Sequence, residues 1–309
     1  MKNLALKISF FFKCISILGV ITLFVGGHAW AQDSATTAEK PVVKKKSYTK
    51  NTFEGNYLIE NQTVMVPIKG TLEFDIQHRF GDVNNGISSL YGIFSSAIMR
   101  LGFSYVPLKN LQVGFGACSD RTQVDLNLKY ALLKQTRDGS IPVSITYFGN
   151  ILMDTRKKDA TTLFVTASDR FSFFNQISVA RKITEKFSAQ VSISLSHINN
   201  VAGYLDSTGK VMPQLKNDNF TFSAIGRYKI TPKTAIIVDY DQPLTQNPMN
   251  NPHPNLSFGL EMSTSGHTFQ IFAGNYNYLL PQNNSVYNQN DYKKGQYFIG
   301  FNISRLWNF

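Results

Sequence analysis

Strict alternation of apolar and polar residues recurs along this chain, and it limits what the chain can become more than any other feature. In residues 71–80, Leu72, Phe74, Ile76 and Phe80 alternate with Glu73, Asp75, Gln77 and Arg79. In 122–133, Val124, Leu126, Leu128, Tyr130 and Leu132 alternate with Gln123, Asp125, Asn127 and Lys129. In 187–196, Phe187, Ala189, Val191, Ile193 and Leu195 are separated by serines and Gln190. A period of two belongs to a β-strand, whose successive side chains point to opposite faces. Each such strand has one apolar side and one polar side.

Twelve such segments are expected, at about 71–80, 94–105, 111–118, 122–133, 141–151, 170–182, 187–197, 219–230, 234–241, 255–264, 267–277 and 295–308. Most have the length of a tilted strand that crosses a bilayer. Short links (Val106–Asn110, Ile183–Lys186, Thr231–Lys233, Ser265-Gly266) alternate with long polar ones (152–169, 198–218, 242–254, 278–294). Two links break the order: Ser119–Arg121 is short for its side, and Lys134–Ser140 is long for a turn. The pattern predicts an all-β fold over 70–309. It is a single antiparallel up-and-down transmembrane β-barrel of about twelve strands, with short periplasmic turns and long external loops. A secreted β-sandwich also alternates, but its polar face meets bulk water and should carry many Lys and Glu. Here only 17% of residues are charged, and the polar faces are rich in Ser, Gln, Asn and Gly.

Ahead of the barrel three segments differ in composition. Residues 1–31 carry Lys2, Lys7 and Lys13, a short apolar run from Cys14 to Gly26, and Ala29-Trp30-Ala31. That is the layout of a cleaved signal peptide, and export together with the barrel pattern leads to the expectation of the outer membrane of a Gram-negative cell. Residues 32–52 are polar, include Lys44-Lys45-Lys46, and are expected to form a flexible tether. Of the net charge of +11, only +5 remains on residues 53–309, so the lysine run marks a solvated segment. Export removes nucleic acid as a partner. Residues 53–69 are partly apolar; they are either a periplasmic extension or a plug folded into the lumen, and Pro67 argues only against an uninterrupted central strand there.

The register places Glu73, Asp75, Arg79, Arg100, Asp125, Lys129, Arg227, Lys229, Asp239 and Glu261 inside the barrel, with Phe148, Phe174, Phe272 and Phe298. Two readings of the charges stay open: a salt-bridged filling of the wall, or a charged constriction on a solute path. Pairing of Arg79 or Arg100 with Glu73, Asp75 or Asp125 is expected either way. On the last strand Tyr297, Ile299, Phe301, Ile303, Trp307 and Phe309 share a face, interrupted by Arg305. Phe309 is expected to serve as the signal read by the barrel assembly machinery, a partner during biogenesis beside the membrane lipid itself.

No catalytic constellation is expected. Ser196-His197 and His78 are pieces of a lipid-face hydrolase, but neither has a serine two residues later, and Ser196 and His197 face opposite sides. The histidines lack paired metal-ligand spacing, and no cofactor is expected.

Asn61-Gln62-Thr63-Val64, the run Leu72 to Asp82, Leu90-Tyr91-Gly92, Arg100-Leu101-Gly102, Leu111 to Gly116, Leu128-Lys129-Tyr130 and Pro142-Val143-Ser144-Ile145 give the chain a resemblance. It resembles a family of bacterial membrane-bound β-barrel domains of unknown function. The resemblance implies the barrel and the outer membrane, and it carries over no substrate or catalytic residue. The function expected is a channel or transporter for a small solute or apolar ligand. The alternative is a non-transporting structural or docking barrel that acts through its external loops.

Overall fold

The computed structural model describes residues 47–159, 162 and 164–309. The expected signal peptide and most of the expected tether lie outside the described residues. Twelve strands close into one barrel: β3 (Thr71–Asp82), β4 (Ile98–Leu108), β5 (Leu111–Cys118), β6 (Gln123–Leu133), β7 (Ser144–Asp154), β8 (Phe171–Lys182), β9 (Phe187–Ile198), β12 (Asp218–Lys229), β13 (Thr234–Pro243), β14 (Asn255–Ser263), β15 (His267–Gly274) and β16 (Phe298–Asn308). Each pairs antiparallel with its sequence neighbour, and β16 returns to β3 through Ile303↔Ile76 and Trp307↔Leu72. Closure leaves no unpaired edge, which a lipid-immersed sheet requires. Four small strands stand outside the barrel sheet: β1 (Tyr57–Leu58) with β2 (Asn61–Gln62), and β10 (Gly203–Leu205) with β11 (Val211–Pro213).

The alternation decides which face points where. Along β9 the serines and Gln190 are buried, while Phe187, Val191 and Ile193 are exposed on the outer face. Phe115, Leu126, Phe258 and Ile271 are likewise exposed outward. Arg305, which interrupts the last apolar face, lies over the Trp307 ring at 4.8 Å. An arginine there covers apolar surface with its stem and keeps its charge at the rim.

The links between strands alternate as expected, with 109–110, 134–143, 183–186, 230–233 and 264–266 at one end. The other end carries 83–97, 119–122, 155–170, 199–217, 244–254 and 275–297. The two irregular links have structural reasons. The long 134–143 link receives the incoming chain: Tyr48 bridges Thr136, and the Thr49 amide donates to the Gln135 carbonyl at 2.8 Å. The short 119–122 link turns with Arg121 at φ 51° and Thr122 at φ 47°. The last long link is no free loop, since helix α1 (Pro281–Tyr287) within it is buried at Gln282, Asn283, Asn284, Ser285 and Val286.

Candidate functional site

The barrel interior is occupied from both ends. From the short-turn end, residues 53–66 enter as the hairpin β1–β2 and leave beside Val106 and Ala131, which pack on Val66. The segment bonds to the inner faces of strands on every side of the barrel, so it lies inside the ring of strands. Asn56 Nδ2 donates to Glu73 on β3. The Val64 amide donates to Gln190 on β9 at 2.9 Å, and Thr146 on β7 donates to the Val64 carbonyl at 3.0 Å. Asn61 Nδ2 donates to both Asp239 and Asp241 on β13, at 2.8 Å each, and its Oδ1 accepts from Gln176 on β8 at 3.0 Å.

The hairpin tip is the most constrained point. Ile59 is fully buried at φ 58°, a backbone region that β-branched residues avoid. One spot on the wall, the bonded pair Gln270 and Asn302, holds both backbone groups of Ile59. Its amide donates to Gln270 on β15 at 3.0 Å, and its carbonyl accepts from Asn302 on β16 at 2.6 Å. Phe53, Leu58, Ile59 and Val64 form an apolar cluster with Ala180, Ile225, Ile237, Phe272 and Tyr276. From the long-loop end, the turn of α1 enters: Gln282 donates to Asn150 at 2.9 Å, Asn283 to Gln123 at 2.8 Å, and Ser285 meets Ser196 at 3.0 Å.

Nine of the ten interior charges fall into two sets that share Arg227, and Arg79 stands apart. The first braces the wall. Arg100 bridges Asp75 at 3.0 Å and Asp125 at 2.9 Å, and Arg227 holds Glu261 at 2.6 Å. Arg79 makes no such pair. It lies over the Phe272 ring at 4.5 Å and donates to Asn302 at 3.0 Å. The second set holds the hairpin. Glu73 and Asp239 accept from Asn56 and Asn61, Lys129 donates to the Asn56 carbonyl at 3.0 Å, and Arg227 and Lys229 reach Glu54 at 3.3 and 3.6 Å. The sequence pattern had no signal for Asn56, Asn61, Gln270 or Asn302 as partners of these charges, nor for Gln190 as a partner of the hairpin backbone. Period two places such a side chain on a face but says nothing about which segment it meets.

Arg100 reaches its partners because two inward positions carry no side chain. Asp75, Gly102, Gly116 and Asp125 lie in one row across β3, β4, β5 and β6. The Arg100 guanidinium lies over the two glycines. A Cβ at Gly102 would strike Asp75 and Arg100, and one at Gly116 would strike Arg100. This close approach is why glycine stands at both positions.

The outward histidines do not assemble a hydrolytic site. His197 Nδ1 meets Asp218 at 2.6 Å, while Ser196 points inward against Ser285. His78 stacks on Phe301 with centroids 4.8 Å apart. Among the described residues no group of three or more His, Cys, Asp and Glu is placed to hold a metal ion.

A closed antiparallel barrel with an apolar outside and a polar inside is the architecture of a transmembrane β-barrel. The chain belongs to the membrane bound beta barrel domain family (DUF5777), which it matches over residues 53–307. The match begins at the lumen hairpin, so the hairpin is part of the family's domain. Among solved structures, the NanC porin is similar at 12% identity, with 76% of this chain and 98% of that one covered and a TM-score of 0.45. An outer membrane channel from Pseudomonas putida F1 is similar at 12% identity, with 82% and 99% covered and a TM-score of 0.47. The Pseudomonas putida toluene transporter TodX is similar at 11% identity, with 85% and 95% covered and a TM-score of 0.39. No curated protein matches the chain in sequence.

Proposed function

We propose that this protein is a gated channel of the outer membrane, closed in the state described, which opens when the hairpin of residues 53–66 leaves the lumen. The strained, wall-clamped tip at Ile59 carries this reading. A left-handed conformation costs an L-residue roughly 1–2 kcal/mol, and withdrawal releases it. Apart from an apolar patch at Ala180, Ile225, Ile237 and Phe272, the wall beneath is Ser, Gln, Asn and charge, so water can replace the hairpin's neutral hydrogen bonds at small net cost, while its bonds to Glu73, Asp239 and Asp241 hold the closed state. The strand ladder closes through β16–β3 and does not pass through the hairpin. Export by a cleaved signal peptide, recognition of Phe309 during assembly and the absence of catalysis belong to the same reading. In it, the interior charges brace the wall and seat the hairpin.

A second reading, a permanently filled structural barrel, is favoured by the apolar cluster around Phe53, Leu58, Ile59 and Val64. Planar-bilayer conductance separates the two. Under gating, the full chain should show rare discrete openings that vanish when cysteines placed at Asn61 and Asp239 are cross-linked and return on reduction. A full chain that stays silent without any cross-link, while protein lacking residues 53–66 conducts, would establish the filled barrel instead.

A further inference from the structure

An open cavity of about 470 Å³ lies at the long-loop end, on the far side of the barrel from the hairpin's entry. Its volume falls in the range of small-molecule sites. Three arginines line it, Arg121, Arg156 and Arg170, against two carboxylates, Asp154 and Asp169. Both carboxylates are already engaged. Arg156 takes Asp154 at two points, Nε to Oδ1 at 3.0 Å and Nη2 to Oδ2 at 2.7 Å. Asp169 accepts the Val165 and Thr166 amides at 3.0 and 2.7 Å.

Arg121 is held differently. It lies over the Tyr287 and Tyr278 rings at 4.9 and 5.6 Å rather than against a carboxylate. The link that presents it runs through two consecutive left-handed residues, neither a glycine. Strain of this kind gathers where a side chain must be aimed. Arg170 lies over Phe164 at 4.5 Å. Between the arginines and the barrel, Gln123 and Asn283 are buried and bonded to each other at 2.8 Å, which sets amide groups in the cavity floor.

Guanidinium forks match planar carboxylates, aromatic rings offer flat faces for apolar ring C–H groups, and amides pair with hydroxyls. We infer that this cavity is a binding site for a sugar carboxylate of one or two rings. A neutral sugar would leave Arg121, which no carboxylate among the described residues bridges, without an anion, and a simple anion would make no use of the amide groups that Gln123 and Asn283 do not spend on each other. The site is built from loops and strand ends, so its occupancy does not depend on whether the hairpin leaves.

Calorimetric titration of the full-length protein in detergent tests this. The probes are glucuronate and cellobiouronate, with glucose, cellobiose and benzoate for comparison. The sugar acids should bind, and their neutral counterparts and benzoate should bind at least about tenfold more weakly, as expected for loss of charge-assisted hydrogen bonds or of the hydroxyl contacts. Arg121→Gln should weaken sugar-acid binding by roughly tenfold or more, and Arg156→Gln should also weaken it. Arg305→Gln, at the opposite rim, should change nothing. No binding by either sugar acid, equal binding of neutral sugars or benzoate, or wild-type affinity in both Arg121→Gln and Arg156→Gln would overturn the assignment.

Discussion

Arg100 grips Asp125 across an intervening strand: Nε meets Oδ1 and Nη2 meets Oδ2, each at 2.9 Å, although β5 lies between their strands. The same guanidinium takes Asp75 through Nη1 at 3.0 Å. Three strands are thereby tied on the inner face, independently of the backbone ladder. All three side chains are buried, so removal of the cation would strand two carboxylates. Loss of one member of a buried pair costs about 3–5 kcal/mol. Arg100→Ala should lower the barrel's unfolding free energy by that order, read as a fall in the urea midpoint followed by heat-modifiable gel mobility. An unchanged midpoint would mean that water already satisfies Asp75 and Asp125.

Gly116→Ala should damage the barrel through Arg100 alone. The new methyl group occupies the space of the guanidinium, and overpacking of this kind costs roughly 1–3 kcal/mol. In an Arg100→Ala background the same substitution should cost little. The coupling from that double-mutant cycle is the measurement; additive effects would show that the glycine serves backbone curvature instead.

Asn61 is the best single handle on the hairpin. Its amide bridges Asp239 and Asp241, and hydrogen bonds to charged groups contribute about 1.5–3 kcal/mol each. Asn61→Ala should let a cysteine placed at Val64, buried in the described state, react with a soluble maleimide. Equal and slow labelling with and without the substitution counts against a mobile hairpin.

Two cysteines test how the long links fold. Ser207 is exposed between β10 and β11, whereas Asn288 is wholly buried at the end of α1. On intact cells a cysteine at Ser207 should label, and one at Asn288 should stay protected until the protein is denatured. Rapid labelling at Asn288 would place the last link outside the lumen.

Phe309 follows β16 and is exposed, with its amide near the Gly70 carbonyl at 3.4 Å. Few contacts in the folded barrel depend on its ring. Deletion of Phe309 should therefore reduce the amount of assembled barrel in the membrane while leaving the unfolding midpoint of what does assemble nearly unchanged. A lowered midpoint with normal yield would make Phe309 structural rather than a recognition element.

The short, local period of two made the barrel legible in the sequence. Glu73, Asp75 and Arg79 sit opposite Leu72, Phe74 and Ile76 on β3 whatever else the chain does, because adjacent side chains on a strand point apart. The same rule fixed the inward faces of β6 and β9, and the turn and loop lengths supplied the order of strands. A local pattern carries no information about what fills an enclosed space. Residues 53–69 and 275–297 lack a sustained period, so nothing in them announces that Asn61 meets Asp239 or that Gln282 meets Asn150. Nor does the alternation say that Arg79 would lie on Phe272 while Arg100 crosses β5 over Gly116. Those choices depend on which side chains come within reach once the sheet has closed, and closure brings together residues more than a hundred positions apart, as with Gln190 and Val64. The sequence by itself determined the wall, because a strand's two faces are set residue by residue. Only the tertiary structure decided the contents of the lumen and the arginine-lined mouth, because those contacts exist only after twelve strands have curved into one ring.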